Sequence, residues 1–226
     1  ESDHINRDFA ERNNTDGRTA SLLSSAVLGL GRAGMYVGGT PGLDIPHSHV
    51  NAHMVSDSVT LQALCDPDPD RLSLGRGLVP NAALYESYEE MLETERPQLL
   101  SICSPTAMRR QSIELAAKYG VDIIYCEKPL AEDYDEARSL AALCRDKGIR
   151  VAVNYHRRWS PLINKVRGIL AKGGLGAVQH VTLSYCTGVI NDATHLFDLV
   201  RYLLGEFEWV RGEVMDRCGR PDDDPN

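Results

Sequence analysis

Five short apolar runs recur along this chain, each separated from the next by a stretch of helical character, and that alternation leaves few folds open. The runs are Ser25–Leu28, Val59–Cys65, Leu99–Cys103, Val121–Cys126 and Arg150–Tyr155. None alternates strictly between apolar and polar residues, as expected of strands covered on both faces. Between them the spacing predicts helices. One is Ser87–Glu95, with Ser87 as N-cap and Glu90 at the capping-box position. Thr106–Tyr119 follows, stopped by Gly120, and then Glu132–Lys147, stopped by Gly148. Strand–helix repetition of this kind implies an α/β fold, a doubly wound parallel sheet with right-handed crossovers.

The formal net charge of −8 over 226 residues argues against nucleic acid or an anionic membrane as the main partner. No run approaches the roughly 18–20 apolar residues that cross a bilayer. Residues 1–23 are polar, lack an initiator Met and lack the basic and apolar regions of a signal peptide, so we expect a flexible tail. The cysteines at 65, 103, 126, 144, 186 and 218 form no CxxC pair. They read as reduced thiols of a cytoplasmic protein. After Trp159-Ser160-Pro161 the rhythm changes to a helix (Leu162–Ala171), a strand (Val178–Tyr185), a helix (Ala193–Leu204) and a strand (Phe207–Val214). We therefore expect one doubly wound α/β domain over 24–155 and the beginning of an α+β domain, cut short, over 156–226.

Directly after the first strand, AVLGLGRAG carries Gly29-Leu30-Gly31-Arg32-Ala33-Gly34, a GxGxxG turn. The first glycine permits the tight turn, the second lets a pyrophosphate approach the backbone, and the third allows close helix–strand packing. The second strand ends at Asp66, where a carboxylate can accept from adenosine ribose hydroxyls and would repel a 2′-phosphate, which favours NAD over NADP. Arg71 and Arg76 weaken that preference if they lie nearby. Read by turn chemistry alone, Asp66 instead opens the turn Asp-Pro-Asp-Pro. The separation of Gly34 from Asp66 exceeds the usual ~20 residues, which fits an insertion, Met35–Pro46, interrupting the first helix. His47, His49 and His53 resemble a metal cluster, but no Cys or carboxylate with ligand spacing accompanies them. A solvated helix or loop is the better reading, and no metal is expected.

The strand Val121–Cys126 runs into Glu127-Lys128-Pro129, a carboxylate and an ammonium at the carboxyl end of the sheet, where ligands of open α/β folds bind. With the glycine turn, ICSPT (102–106) and CEKPL (126–130) in this order, the chain resembles the Gfo/Idh/MocA oxidoreductases, named for glucose–fructose oxidoreductase and inositol dehydrogenase. NYHRRWSP (154–161) is similar to the family's interdomain segment and THLFDLVRYLLG (194–205) to its helix bearing a catalytic histidine.

The resemblance implies a Rossmann domain followed by an open-faced sheet domain that often forms a dimer interface, hence a homo-oligomer, dimer or tetramer. It implies a nicotinamide cofactor, NAD with NADP as the second candidate, and a sugar, cyclitol, sugar-acid or nucleotide-sugar substrate. Gly29, Gly31, Arg32, Ala33, Gly34, Asp66, Ser104, Pro105 and Glu127 would hold the cofactor, with Glu127 near the nicotinamide ribose and a Lys-Pro bond that is often cis. Lys128 would bond the reacting oxygen, and His195 would shuttle the proton or bind substrate. A hydride leaves a carbinol only as the hydroxyl proton departs, so such a positioned acid/base is required. Read without the family, Glu127 and Lys128 are an exposed ion pair and His195 a structural histidine.

Two positions depart from the family pattern. Asn191 stands where many members carry an Asp four residues before the histidine, and Asp192 lies next door. Either Asp192 takes over, or Lys128 and His195 work without the carboxylate while Asn191 orients substrate. Arg109 stands where members often carry histidine, and reads either as a receptor for an anionic substrate or as a solvated helix arginine. Tyr155, Arg157 and Arg158 are expected to line the substrate cleft, and Trp159 to belong to the core. A dinucleotide-binding sensor or regulatory protein without catalysis is the alternative; Asn191 and the short second domain favour it, whereas Lys128 and His195 favour the enzyme.

Overall fold

The computed structural model describes residues 22–36, 46–185 and 189–213. Six strands, β1 (Leu23–Leu28), β2 (Val59–Cys65), β3 (Ala83–Tyr85), β4 (Leu99–Ile102), β5 (Ile123–Cys126) and β6 (Arg150–Val153), form one sheet in the order β3-β2-β1-β4-β5-β6. Every pairing is parallel. This is the strand order of doubly wound dinucleotide-binding sheets, with its switch point between β1 and β4. The five predicted strands are all present, with ends displaced by up to two residues.

Successive residues of the central strands serve opposite layers. Ala26, Leu28, Ala63, Cys65, Leu100, Ile102 and Ile124 pack beneath helices α3 (Tyr88–Glu95), α4 (Arg109–Lys118) and α5 (Tyr134–Asp146), which contribute Met91, Leu92, Ile113, Ala116 and Leu140. Val27 and Leu64, adjacent in register, face the other way with Val50 of α1 (His49–Val55) and Leu72 of α2 (Pro69–Leu78). Both faces are therefore apolar, which is why the strands carry no polar alternation. The element β3 and the helix α2 were not legible as such. β3 is three residues long, and α2 carries Gly75 and Gly77, which lower helical propensity. What starts α2 is its cap: Asp68 accepts from Asp70 N–H and Pro69 occupies the first turn.

The insertion expected after the glycine turn is visible in how the helix is rejoined. Met35 N–H donates to Gly31 C=O, a first helical bond. The carbonyls of Ala33 and Gly34 then accept from His49 and Val50. His49 thus stands where residue 37 would stand in a continuous helix. Discounting residues 37–48 restores the Gly34–Asp66 separation to the usual ~20.

Helix α1 does not lie solvated on the surface, as expected for His49 and His53. Both histidines are buried, at 4% and 7% exposure, and press on Ser25 and Ser101 of the sheet. Among the described residues no three His, Cys, Asp or Glu are grouped to hold a metal.

Beyond β6 the chain forms α6 (Pro161–Ala171) and α7 (Thr194–Leu204), the latter preceded by a π-helical turn, Val189–Ala193. The strands predicted over 178–185 and 207–214 do not form: residues 178–185 and 207–213 are extended or irregular and exposed, and Val214 lies outside the described residues. A strand needs a hydrogen-bonded neighbour, and none reaches these segments among the described residues. Trp159, expected in the core, is 68% exposed. No helix among the described residues is long and apolar enough to cross a membrane.

A Cβ on Gly34 would meet the Gly29 carbonyl oxygen at 1.8 Å, whereas one on Gly77 meets nothing within 4 Å. Gly34→Ala should therefore cost about 3 kcal/mol or more, and Gly77→Ala should gain about 0.5–1 kcal/mol from helix propensity. Urea unfolding curves check both. Burial first, and the neighbouring His49 second, push His53 from its ordinary 6.5 down to about 4. The unfolded chain then takes up this proton before the folded one, so stability is lost as pH falls from about 6.5 to about 4, by about 3 kcal/mol. His53→Gln should flatten that acid limb, again read by urea unfolding.

Candidate active site

The carboxyl ends of β1, β2 and β4 and the start of β3–α3 enclose a cleft of about 960 Å³. Gly29, Gly31, Arg32, Asp66, Ser104, Pro105 and Lys128 line it, as the sequence motifs require; Ala33 and Gly34 are not in its wall. Gly29 has φ +86, and a Cβ there would strike the Cys103 backbone at 2.8 Å. A Cβ on Gly31 would meet only an Arg71 nitrogen at 3.8 Å, so this glycine leaves its backbone open to the cleft. Gly34 packs the helix start onto Gly29. The three glycines thus divide their duties as the motif predicts.

Asp66 is buried at 2% exposure and is a structural anchor of the turn. Its Oδ2 accepts from Leu30 N–H at 2.7 Å, and its Oδ1 from Asp68 N–H at 3.0 Å. The turn reading therefore describes it. Arg71 Nη1 lies 3.5 Å from Asp66 Oδ2, and Arg71 Nε lies 3.5 Å from Asp68 Oδ2. Arg76 is spent elsewhere, on the carbonyls of Pro80 and Ala82.

On the opposite wall, Ser104 Oγ is buried and has no hydrogen-bond partner among the described residues. Arg109 is not the solvated arginine the sequence allowed. It is 4% exposed, and its Nη2 donates to Ser104 C=O at 3.2 Å. Its Nε and Nη1 find no partner among the described residues. A buried guanidinium with two unsatisfied donors in a cleft wall calls for an acceptor there.

The Lys128–Pro129 peptide is cis, as the resemblance implied. Lys128 is in the cleft wall, but Glu127 is not. The Glu127 carboxylate accepts from Asn154 Nδ2 at 2.6 Å and from Lys128 N–H at 3.2 Å, and lies 3.1 Å from His49 Nε2. Burial pushes this carboxyl up, but the hydrogen bonds from His49 and Asn154 outweigh it and leave it below its ordinary value. Asn154 is oriented in turn by Tyr125 O–H, which donates to its Oδ1 at 2.6 Å. Sequence reasoning missed Asn154, although it opens the quoted NYHRRWSP; it also missed that His49 faces the site, because the insertion hid its place on the first helix.

His195, on the first turn of α7, is 8% exposed, and its Nδ1 has no partner among the described residues. Its ring meets those of Tyr155 and His156 edge-on, at 5.7 and 4.9 Å. Burial, then the repulsion that a second imidazolium beside His156 would meet, then the positive charges of Lys128 and Arg157, lower its pKa to about 4. His195 is therefore a neutral imidazole at neutral pH, within the field of Lys128. Arg157 reaches Asp192 at 3.5 Å. Arg158, expected in the substrate cleft, is committed instead to a two-bond pair with Asp198, with Nε 2.7 Å from Oδ2. The Asn191 side chain lies outside the described residues.

Residues 23–155 match the family model described as an oxidoreductase family with an NAD-binding Rossmann fold. Over 176 residues the chain is 28% identical to D-apiose dehydrogenase of Paraburkholderia graminis, covering 70% of this chain and 47% of that protein. It is 32% identical over 119 residues to inositol 2-dehydrogenase of Rhizobium meliloti, covering 46% of this chain and 36% of that protein. The fold superposes on the solved scyllo-inositol dehydrogenase of Lactobacillus casei, crystallised with NAD(H) and scyllo-inositol. The TM-score is 0.67 at 16% identity, over 82% of this chain and 57% of that one. The chain spans about half or less of the length of the curated relatives it matches. With its glycine turn, its Lys128–Pro129 corner and a family match over most of the sheet, this chain belongs to the Gfo/Idh/MocA family of oxidoreductases.

Proposed function

We propose that this chain forms the cofactor-binding part and the beginning of the substrate-binding part of an NAD-dependent dehydrogenase. The enzyme acts on the CH–OH of a sugar, cyclitol or related sugar acid or nucleotide sugar. The observation that carries the reading is the convergence of the glycine turn, Asp66, Ser104 and Lys128 on one cleft. Relatives named as apiose, inositol and glucoside dehydrogenases support the substrate class.

Residues 24–155 serve the cofactor in this reading, and 156–226 begin the substrate side. The open backbone at Gly31 and the first-turn amides receive the pyrophosphate. Asp66 takes the adenosine ribose; its carboxylate repels a 2′-phosphate, and Arg71 beside it is already paired with Asp66 and Asp68, which supports NAD over NADP. When bound, the nicotinamide accepts or gives the hydride. Lys128 holds the substrate oxygen and exchanges its proton, since an ammonium stabilises a developing alkoxide. His195, kept neutral, bonds the neighbouring hydroxyl or takes the proton onward, with Asp192 and Asn191 beside it. Arg109 gives the cleft a buried cation suited to an anionic group. Small-molecule chemistry, a net charge of −8 and free Cys65, Cys126 and Cys144 in buried positions fit a cytoplasmic enzyme without nucleic-acid partners. The exposed Val178, Val181, Leu183 and Tyr185 support burial against a second copy of the chain.

Fluorescence titration of the chain with NADH and NADPH tests the cofactor half. NADH should bind about tenfold or more tighter, a difference of about 1.4 kcal/mol, and Asp66→Ser should narrow the gap. Binding of neither would refute the assignment. In the native enzyme, Lys128→Met should retain NADH binding and lose at least about a hundredfold in kcat; unchanged turnover would remove Lys128 from the chemistry.

A further inference from the structure

Between helix α1 and the sheet lies an unbroken file of buried polar groups. Glu127 Oε1 is 3.1 Å from His49 Nε2, and His49 Nδ1 is 2.9 Å from Ser101 Oγ. Ser101 Oγ is 2.9 Å from His53 Nε2, and His53 Nδ1 is 2.8 Å from Ser25 Oγ. Ser25 Oγ ends the file by donating to Thr60 C=O at 3.0 Å. Ser25 and Ser101 are fully buried. The file runs from the carboxyl end of β5 to the opposite end of β1, where Thr60 is exposed.

Counting donors assigns the hydrogens. The Thr60 carbonyl can only accept, so Ser25 gives its one proton there. Ser25 Oγ must then accept from His53, which places the His53 proton on Nδ1. A neutral His53 leaves Nε2 bare, and Ser101 donates to it. Ser101 Oγ in turn accepts from His49 Nδ1–H. His49 Nε2 is left facing a carboxylate oxygen at 3.1 Å, with the Asn154 amide nitrogen at the outer limit of contact, 3.5 Å; the shorter contact is a hydrogen bond only with a proton between nitrogen and oxygen. The reverse order spends the Ser25 proton on His53 and leaves two bare oxygens, the fully buried Ser25 Oγ and the Thr60 carbonyl oxygen, 3.0 Å apart with no proton between them.

We propose that His49 and Glu127 hold one proton between them, and that His49 is thereby a positioning residue that keeps Glu127 from presenting an uncompensated negative charge to Lys128. A lone carboxylate beside Lys128 would favour its ammonium, whereas a neutral pair eases loss of the proton that a base must shed. This last consequence rests on the function proposed above; the shared proton does not. The other ionisable groups facing the pair leave it intact. The Tyr125 ring lies 4.9 Å from that of His49, and burial pushes its phenol up to about 12. Cys103 and Cys126 beside Glu127 are likewise pushed up by burial and stay neutral thiols. His156 and His195 on the cleft side are lowered and uncharged, and His53 beyond Ser101 is neutral.

Nitrogen-15 NMR of the histidine rings in the full chain, without cofactor and at neutral pH, tests the hydrogen assignment. His53 should carry its proton on Nδ1 alone, and His49 should carry one on Nδ1. In Glu127→Gln the amide can donate to His49 Nε2, so His49 should be singly protonated on Nδ1, with the His53 pattern unchanged. A bare His49 Nδ1, or a His49 that stays doubly protonated in E127Q, would overturn the shared proton. Reductive methylation of Lys128 tests the positioning. His49→Gln and Ser101→Ala should each slow it about tenfold below the amine's pKa, the equivalent of one unit, and Ser101→Thr should restore the rate. An unmoved rate in H49Q would refute the positioning role. Neither readout needs turnover, so a failed dehydrogenase assignment would remain distinguishable from a failed proton assignment.

Discussion

The hydrogen bond from Leu30 N–H to the Asp66 carboxylate ties the exit of the first strand to the exit of the second. Everything at the mouth of the sheet hangs from that tie. It holds the glycine turn open at Gly31 while Gly34 closes on Gly29, and the helix that follows is aimed down the face bearing Ser25 and Ser101. A buried carboxylate is costly unless its lone pairs are met. Here backbone amides meet them, from Leu30 and Asp68, so the group that anchors the turn is itself held in place. Fold and site share a residue, and weakening one weakens the other.

Much of this was legible in the residues. The apolar runs announced the parallel sheet because both faces are covered, and the glycines announced the cleft because their three duties demand three different absences of Cβ. Lys128 was legible from its place after β5. What could not be read were matters of partnership. His49 and His53 looked solvated because an insertion separated them from the turn they pack against, and no local pattern records that Ser25 and Ser101 lie opposite. Arg109 could be read as an anion receptor or a solvated helix arginine, and Arg158 as a cleft residue; only packing shows that the first is buried against Ser104 and the second is held by Asp198. The strands expected near 178–185 and 207–214 had the right composition but no neighbour, and strand composition without a partner does not make a strand.

Charge in this site is arranged in compensated pairs. Arg71 faces Asp66 and Asp68, Arg157 faces Asp192, Arg158 faces Asp198, and His49 faces Glu127. Two imidazoles, His156 and His195, are held neutral in the same neighbourhood by burial and nearby positive charge. Around these pairs the region presents hydrogen-bond donors and acceptors more than net field, while Arg109 is buried with two donors unsatisfied among the described residues.

The rejoined first helix carries a consequence for how such a protein can be altered. The segment between Tyr36 and His47 begins and ends at one place, for the two rings meet at 5.8 Å, and the helix continues as though the segment were absent. Its length is thereby uncoupled from the architecture, since closing a longer loop between fixed ends costs only logarithmically more. The fold carries a natural port at the start of its first helix, where a cassette of another length or chemistry can be exchanged without renegotiating the sheet.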